Sequence, residues 1–92
     1  MQNNLILSIV VPTRNRFSYL KLLLKSIIKS DSNQYEIIVT DNSDNDSEII
    51  SFINSLNSDK INYYHQEGFL SMSDNFDKGV EKAKGKYVIV LG

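Results

Sequence analysis

The chain has no cysteine, which excludes disulfides and thiolate-held metals together. Its longest mainly apolar stretch, Leu5 to Val11, is about seven residues and includes a serine, far below the ~20 that a membrane-spanning helix needs. The opening residues Met1-Gln2-Asn3-Asn4 lack the basic start of a secretion signal. A formal net charge of −1 gives no reason to expect an anionic membrane, and no nucleic-acid partner is expected. His65 is the only histidine; with no second ligand candidate beside it, it is expected to be structural or solvent-facing. A cytoplasmic location is the expectation. Glycine is missing from one particular place: Pro12-Thr13-Arg14-Asn15-Arg16 contains none.

What is present is a regular alternation. Leu5 to Val11 is nearly continuous aliphatic, the pattern of a strand covered on both faces. From Phe17 to Ser30 the residues Leu20, Leu23, Leu24, Ile27 and Ile28 fall on one helical stripe, which Asp31-Ser32-Asn33 breaks. Tyr35 to Thr40 reads as a second buried strand. Asp46 or Ser47 can cap a helix with Ile49, Phe52, Ile53 and Leu56 on its inner face, and Asn57-Ser58-Asp59 forms a turn. Ile61 to His65 is a short third strand, with Tyr63 and Tyr64 on opposite faces. Ser71 and Ser73 lead into a helix whose inner face is Phe76, Gly79, Val80 and Ala83. Gly85 is expected to end it as a glycine just past the C-terminus. Tyr87 to Leu91 is a fourth strand.

The order β-α-β-α-β-α-β predicts a Rossmann-like α/β fold with a parallel sheet and right-handed crossovers. The expected strand order is 3-2-1-4. Ligands of open α/β sheets sit beyond the carboxyl ends of the strands where the order reverses, here above Pro12-Thr13 and beside Asp41. Apolar content of 41% suits a small packed unit, and residues 1–92 are read as a single domain. In this order the fourth strand is a bare apolar sheet edge. The chain is therefore read as a fragment of a larger domain, and Tyr87 to Leu91 as an edge through which a homodimer can form.

An acidic residue at the second strand end suits a ribose or base contact. A dinucleotide-dependent oxidoreductase needs Gly-x-Gly-x-x-Gly after the first strand, and the glycine-free Pro12 to Arg16 segment excludes it. A phosphoacceptor receiver needs an acidic pair there, where Arg14 and Arg16 stand instead. A non-catalytic nucleotide-binding α/β module is the alternative that stays open.

Three blocks carry a family resemblance: Ser8-Ile9-Val10-Val11-Pro12-Thr13-Arg14-Asn15-Arg16, Glu36-Ile37-Ile38-Val39-Thr40-Asp41-Asn42-Ser43, and Gly79-Val80-Glu81-Lys82-Ala83-Lys84-Gly85-Lys86-Tyr87-Val88. Together they resemble glycosyltransferase family 2. The resemblance implies a GT-A fold and sugar transfer from a nucleotide diphosphate donor, a UDP- or dTDP-sugar. The acceptor would be a carbohydrate or lipid-linked hydroxyl, in bacterial surface polysaccharide synthesis. It also implies a divalent cation, Mn or Mg, whose acidic ligands lie beyond Gly92, as does the catalytic base. This polypeptide alone is accordingly expected to be inactive, and its parent to be cytoplasmic or membrane-associated.

By the same resemblance, Pro12 and Thr13 line the nucleobase pocket. Asp41, beside Asn42, accepts a hydrogen bond from the base, an acceptor-only role that suits a carboxylate. Arg14 stands where the family often has an aromatic residue. Asp74-Asn75 stands where many members carry Arg-Asn, so Asp74 lies at the donor site but cannot hold phosphate. The plainer readings are an Asx-turn for Asp41, helix caps for Thr13 and Asn15, a helix start for Asp44 and Asp46, and a first-turn carboxylate for Asp74.

Overall fold

The computed structural model describes residues 5–29, 34–68 and 70–91. Among them the elements run β1 (Leu7–Thr13), α1 (Phe17–Ile27), β2 (Tyr35–Asp41), α2 (Ser47–Leu56), β3 (Ile61–His65), α3 (Met72–Lys82) and β4 (Tyr87–Val90). The four strands form one parallel sheet in the order β3-β2-β1-β4, as the alternation predicts. The break at Asp31-Ser32-Asn33 lies outside the described residues. So does Ser30, but α1 already stops at Ile27.

Strand alternation divides the core between two faces. Ile9, Val11, Tyr35, Ile37 and Val39 point to one side, where Leu20 and Leu24 of α1 and Ile49 of α2 close over them. Phe17 and Phe52 meet edge to face, 5.9 Å between ring centres, and join the two helices. On the other side, Val10 and Thr40 meet Gly79 of α3, and α3 packs across β1 and β2. A Cβ at Gly79 would lie 2.4 Å from a Val10 methyl carbon, so the helix sits as close as a bare glycine permits. The inner face of α3 is Asn75 and Gly79; Val80, expected inside, is exposed.

Pro12 is tolerated inside a central strand for a local reason. The carbonyl of Val10 accepts the last bond from the β4 side, from the Leu91 N–H, and the β1–β4 pairing ends at Val10. Residue 12 faces that same side, past the end of the ladder, so its missing N–H breaks no strand pairing. Tyr87, Val88, Ile89 and Val90 of β4 are all exposed, consistent with its place at the sheet edge.

At the amino end of the sheet a buried carboxylate ties three segments together. Glu36 Oε2 accepts the Ser8 hydroxyl at 2.6 Å and the Lys84 N–H at 2.7 Å. Ser8 Oγ in turn accepts the Gly85 N–H at 2.8 Å. This corrects the expected role of Gly85. The helix stops earlier, at an extended Ala83, and Gly68 is the one described glycine with positive φ. Gly85 is instead pressed against β1, where a Cβ would lie 2.8 Å from the Leu7 carbonyl carbon and from the Ser8 nitrogen. Backbone in a central strand cannot yield to it. Gly85→Ala is expected to destabilise the fold by about 1–3 kcal/mol and to lower Tm by at least ~4 °C in a thermal melt.

Candidate functional site

The carboxyl ends of β1 and β2 are capped by loops that polar side chains stitch together. Asn15 adopts a left-handed backbone, φ 54°, in the β1–α1 loop. Its N–H donates to Ser43 Oγ at 2.7 Å, its side-chain amide to Asp44 at 3.2 Å, and its side-chain oxygen accepts the Asp44 N–H at 3.0 Å. The α1 cap expected from Thr13 or Asn15 is therefore not made: the cap residue is Arg16, with no side-chain bond. Asn15 is committed to the neighbouring loop instead. At α2 the residue before the helix is Asp46, yet the Ser47 N–H is accepted by Asn45 Oδ1 at 3.0 Å.

Asn42 holds the third loop. Its amide nitrogen donates to the carbonyls of Gln66 and Gly68, and its oxygen accepts the Leu70 N–H at 2.9 Å. Arg14 crosses above, donating to the Asn42 carbonyl and, at 3.2 Å, to Asp44 Oδ1. From beneath, the buried Asn75 side chain of α3 donates to the carbonyls of Thr13 (3.2 Å) and Thr40 (3.0 Å), while the Thr40 hydroxyl returns a bond to the Asn75 carbonyl. Among the described residues, Thr13 Oγ1 and Asn75 Oδ1 are buried without a hydrogen-bond partner.

These residues enclose a cavity of about 170 Å³ lined by Arg14, Asn42, Leu70, Ser71, Met72 and Asn75. It is smaller than the ~300–1,000 Å³ of a whole ligand pocket and mostly apolar in its walls. Of the residues singled out from sequence, Arg14 and Asn42 line it. Pro12 and Thr13 lie in the buried strand beneath. Asp74 does not line it: its side chain is exposed in the first turn of α3, where its N–H donates to the capping Ser71 Oγ at 3.1 Å. The walls from Leu70, Ser71, Met72 and Asn75 were not singled out as site residues. The serine-rich start of α3 was the available signal, because a helix cap at a strand-end crevice places a first turn there.

Asp41 ends β2. Its carboxylate is fully buried and points to the α1–α2 side, below the rim. Oδ1 accepts both the Ser43 N–H (3.0 Å) and the Ser43 hydroxyl, and Oδ2 accepts the Tyr63 hydroxyl at 2.6 Å. A buried carboxylate needs such donors. Burial, reinforced by the hydrogen bond to Asp41, raises the Tyr63 phenol well above its ordinary value, so Tyr63 remains a donor. Of the two readings of His65, structural or solvent-facing, its surroundings match the structural one. Its Nδ1 is buried, 3.4 Å from Asp46 Oδ2 and 3.9 Å from Asp41 Oδ2, and its Nε2 is 3.6 Å from Glu67. Among the described residues no group of three or more His, Cys, Asp or Glu is arranged to hold a metal ion.

The crevice lies at the carboxyl end of the parallel sheet, the end at which open α/β folds place their ligands. The chain belongs to glycosyl transferase family 2, whose profile covers residues 8–92. It is 33% identical over 87 residues to the GalNAc(5)-diNAcBac-PP-undecaprenol beta-1,3-glucosyltransferase of Campylobacter jejuni, spanning 92% of this chain and 28% of that relative's length. The crystal structure of S. aureus TarS 1-349 superimposes with a TM-score of 0.80 at 23% identity, over 95% of this chain and 27% of that one. A second S. aureus TarS structure gives 0.76 at 25% identity, over 95% and 16%. The fold is thus that of the GT-A neighbours.

The Tyr63–Asp41 pair sets an alkaline limit. The unfolded phenol ionises near its ordinary 10.0 while the folded one ionises higher. Its contribution is fully present below about pH 10 and is lost as pH rises above that, because the unfolded chain releases the proton first. Tyr63→Phe is expected to flatten that decline and to cost about 1–3 kcal/mol at neutral pH, since Asp41 loses a donor. Urea titrations between pH 7 and pH 11 measure both.

Proposed function

We propose that this chain is the donor-binding part of a glycosyltransferase domain that moves a sugar from a nucleotide diphosphate to an acceptor hydroxyl. The observation that carries the reading is the cavity over the ends of β1 and β2, with one unsatisfied polar atom, Asn75 Oδ1, on a lining residue, in a chain of this family. Its small volume suits a pyrimidine ring, so the donor is a uridine or thymidine diphosphate sugar. Leu70 and Met72 cover the faces of the heterocycle. Asn75 Oδ1 offers it an acceptor. Arg14 brings positive charge to the mouth, where the diphosphate emerges. Pro12 shapes the floor, and Asp41 acts indirectly, holding the Ser43 loop that supports Arg14 and Asn42.

A divalent cation would neutralise the departing diphosphate in this chemistry. The described residues do not fit such an ion, so what they contribute is binding and orientation. The acceptor is a lipid-linked or free glycan of a bacterial surface polymer, a reading supported by the undecaprenol-linked substrate in the name of the Campylobacter relative.

Calorimetric titration with uridine diphosphate tests the site. Met72→Trp should fill the cavity and weaken binding at least tenfold, with the circular dichroism spectrum unchanged because Met72 is 55% exposed. Adenosine diphosphate should bind more weakly to the unmodified chain. Equal affinities for the two nucleotides, or binding indifferent to Met72→Trp, would overturn the reading.

Pairing of a second copy along β4 belongs to the same proposal, because one side of that strand is open and its apolar side chains are exposed. Sedimentation equilibrium is expected to show a dimer that Ile89→Lys converts to monomer.

A further inference from the structure

The net charge of −1 conceals a strong segregation. Residues 1–30 hold five of the ten Lys and Arg and none of the eleven Asp and Glu, so they carry +5 and the remaining residues −6. The helix α1 displays this charge outward. Opposite its buried Leu20 and Leu24, the face formed by Tyr19, Leu22, Lys25 and the following Lys29 is exposed, and Arg16, the residue before the helix, reaches it through Tyr19. Leu22, at its centre, is 71% exposed, and Tyr19 is 40% exposed. The Arg16 guanidinium lies 4.5 Å over the Tyr19 ring. Arg14 is already paired with Asp44, and Lys21 turns toward Phe17 and Phe52, so neither belongs to this face.

Helix electrostatics explain only half of the pattern. Lys25 in the last turn suits the negative end of the helix dipole, but Arg16 stands at the positive end, where no acidic residue is present in the first turn and a cation is disfavoured. Nor does solubility explain a largely exposed leucine among the cations. An apolar residue ringed by cations and an aromatic is what an anionic lipid surface accommodates: headgroups meet the charges while leucine and tyrosine enter the acyl boundary.

We propose that the outward face of α1 docks on an anionic lipid bilayer. The helix is about 16 Å long, and its first turn follows directly from the Thr13–Arg16 segment that borders the crevice. The inference rests on charge and exposure, independently of the transferase reading.

Sedimentation with phosphatidylglycerol vesicles tests it on the unmodified chain. Binding is expected to phosphatidylglycerol and not to phosphatidylcholine vesicles, and to fall with added salt. Lys25→Gln with Lys29→Gln should weaken partitioning about 30-fold, roughly fivefold per cation, while Lys82→Gln with Lys86→Gln, away from this face, should leave it unchanged. Leu22→Gln should weaken it about tenfold even at high salt. Equal binding to both lipids, no binding, or equal effects of the two double variants would overturn the proposal. Tighter capture by an RNA duplex, unaffected by Leu22→Gln, would overturn it in favour of nucleic acid. Uridine diphosphate binding by each variant reports separately on the cavity and on folding.

Discussion

The crevice depends on one saturated side chain. Asn42 uses both amide hydrogens on loop carbonyls and its oxygen on the Leu70 N–H, so a single residue at the end of β2 secures the segment between β3 and α3. The Gln66–Asp41 backbone bond adds a second tie between that loop and the strand ends. An amide suits this task because it offers donors and acceptor together. A carboxylate could not donate to Gln66 and Gly68.

Asp41 and Asn75 complete the arrangement from the two faces of the sheet. Asp41 organises Ser43 and Tyr63 on the α1–α2 side, and Asn75 anchors α3 to the carbonyls of Thr13 and Thr40 on the other. Buried polar groups like these are costly unless satisfied, so their bonds fix one arrangement of loops. At the opposite end of the strands, Glu36, Ser8 and Gly85 do the corresponding work for the α3–β4 connection. These three residues come one from each of the sequence blocks that resemble family 2. Part of what that resemblance encodes is therefore the closure of the sheet, separate from any ligand.

Much of the fold was legible because periodicity reports burial directly. The stripe Leu20, Leu24 and Ile27 and the aliphatic runs of β1 and β2 have only one way to leave water, and short connections then limit the topology. Element ends were less legible. Thr13 joined β1, and Gly85 proved to be a contact glycine where a helix stop was expected, because a glycine needed for close approach and one needed for positive φ look alike in a sequence. The site divides in the same way. Arg14 and Asn42 line the cavity, whereas Asp41 turns inward and Asp74 outward. Which way a strand-end residue points depends on the parity of the strand and on its donors across the sheet.

The sequence by itself determined the α/β class and the strand order 3-2-1-4. It also determined the charge segregation of residues 1–30, hidden in the overall balance. Only the tertiary structure decided which polar side chains line the cavity and which support it from below, and that the cations of α1 share a face with Leu22. Local pattern fixes what must be buried, but hydrogen-bond partners some 20 to 60 residues apart in the chain, such as Asp41 with Tyr63 and Asn75 with Thr13, become neighbours only when the sheet closes.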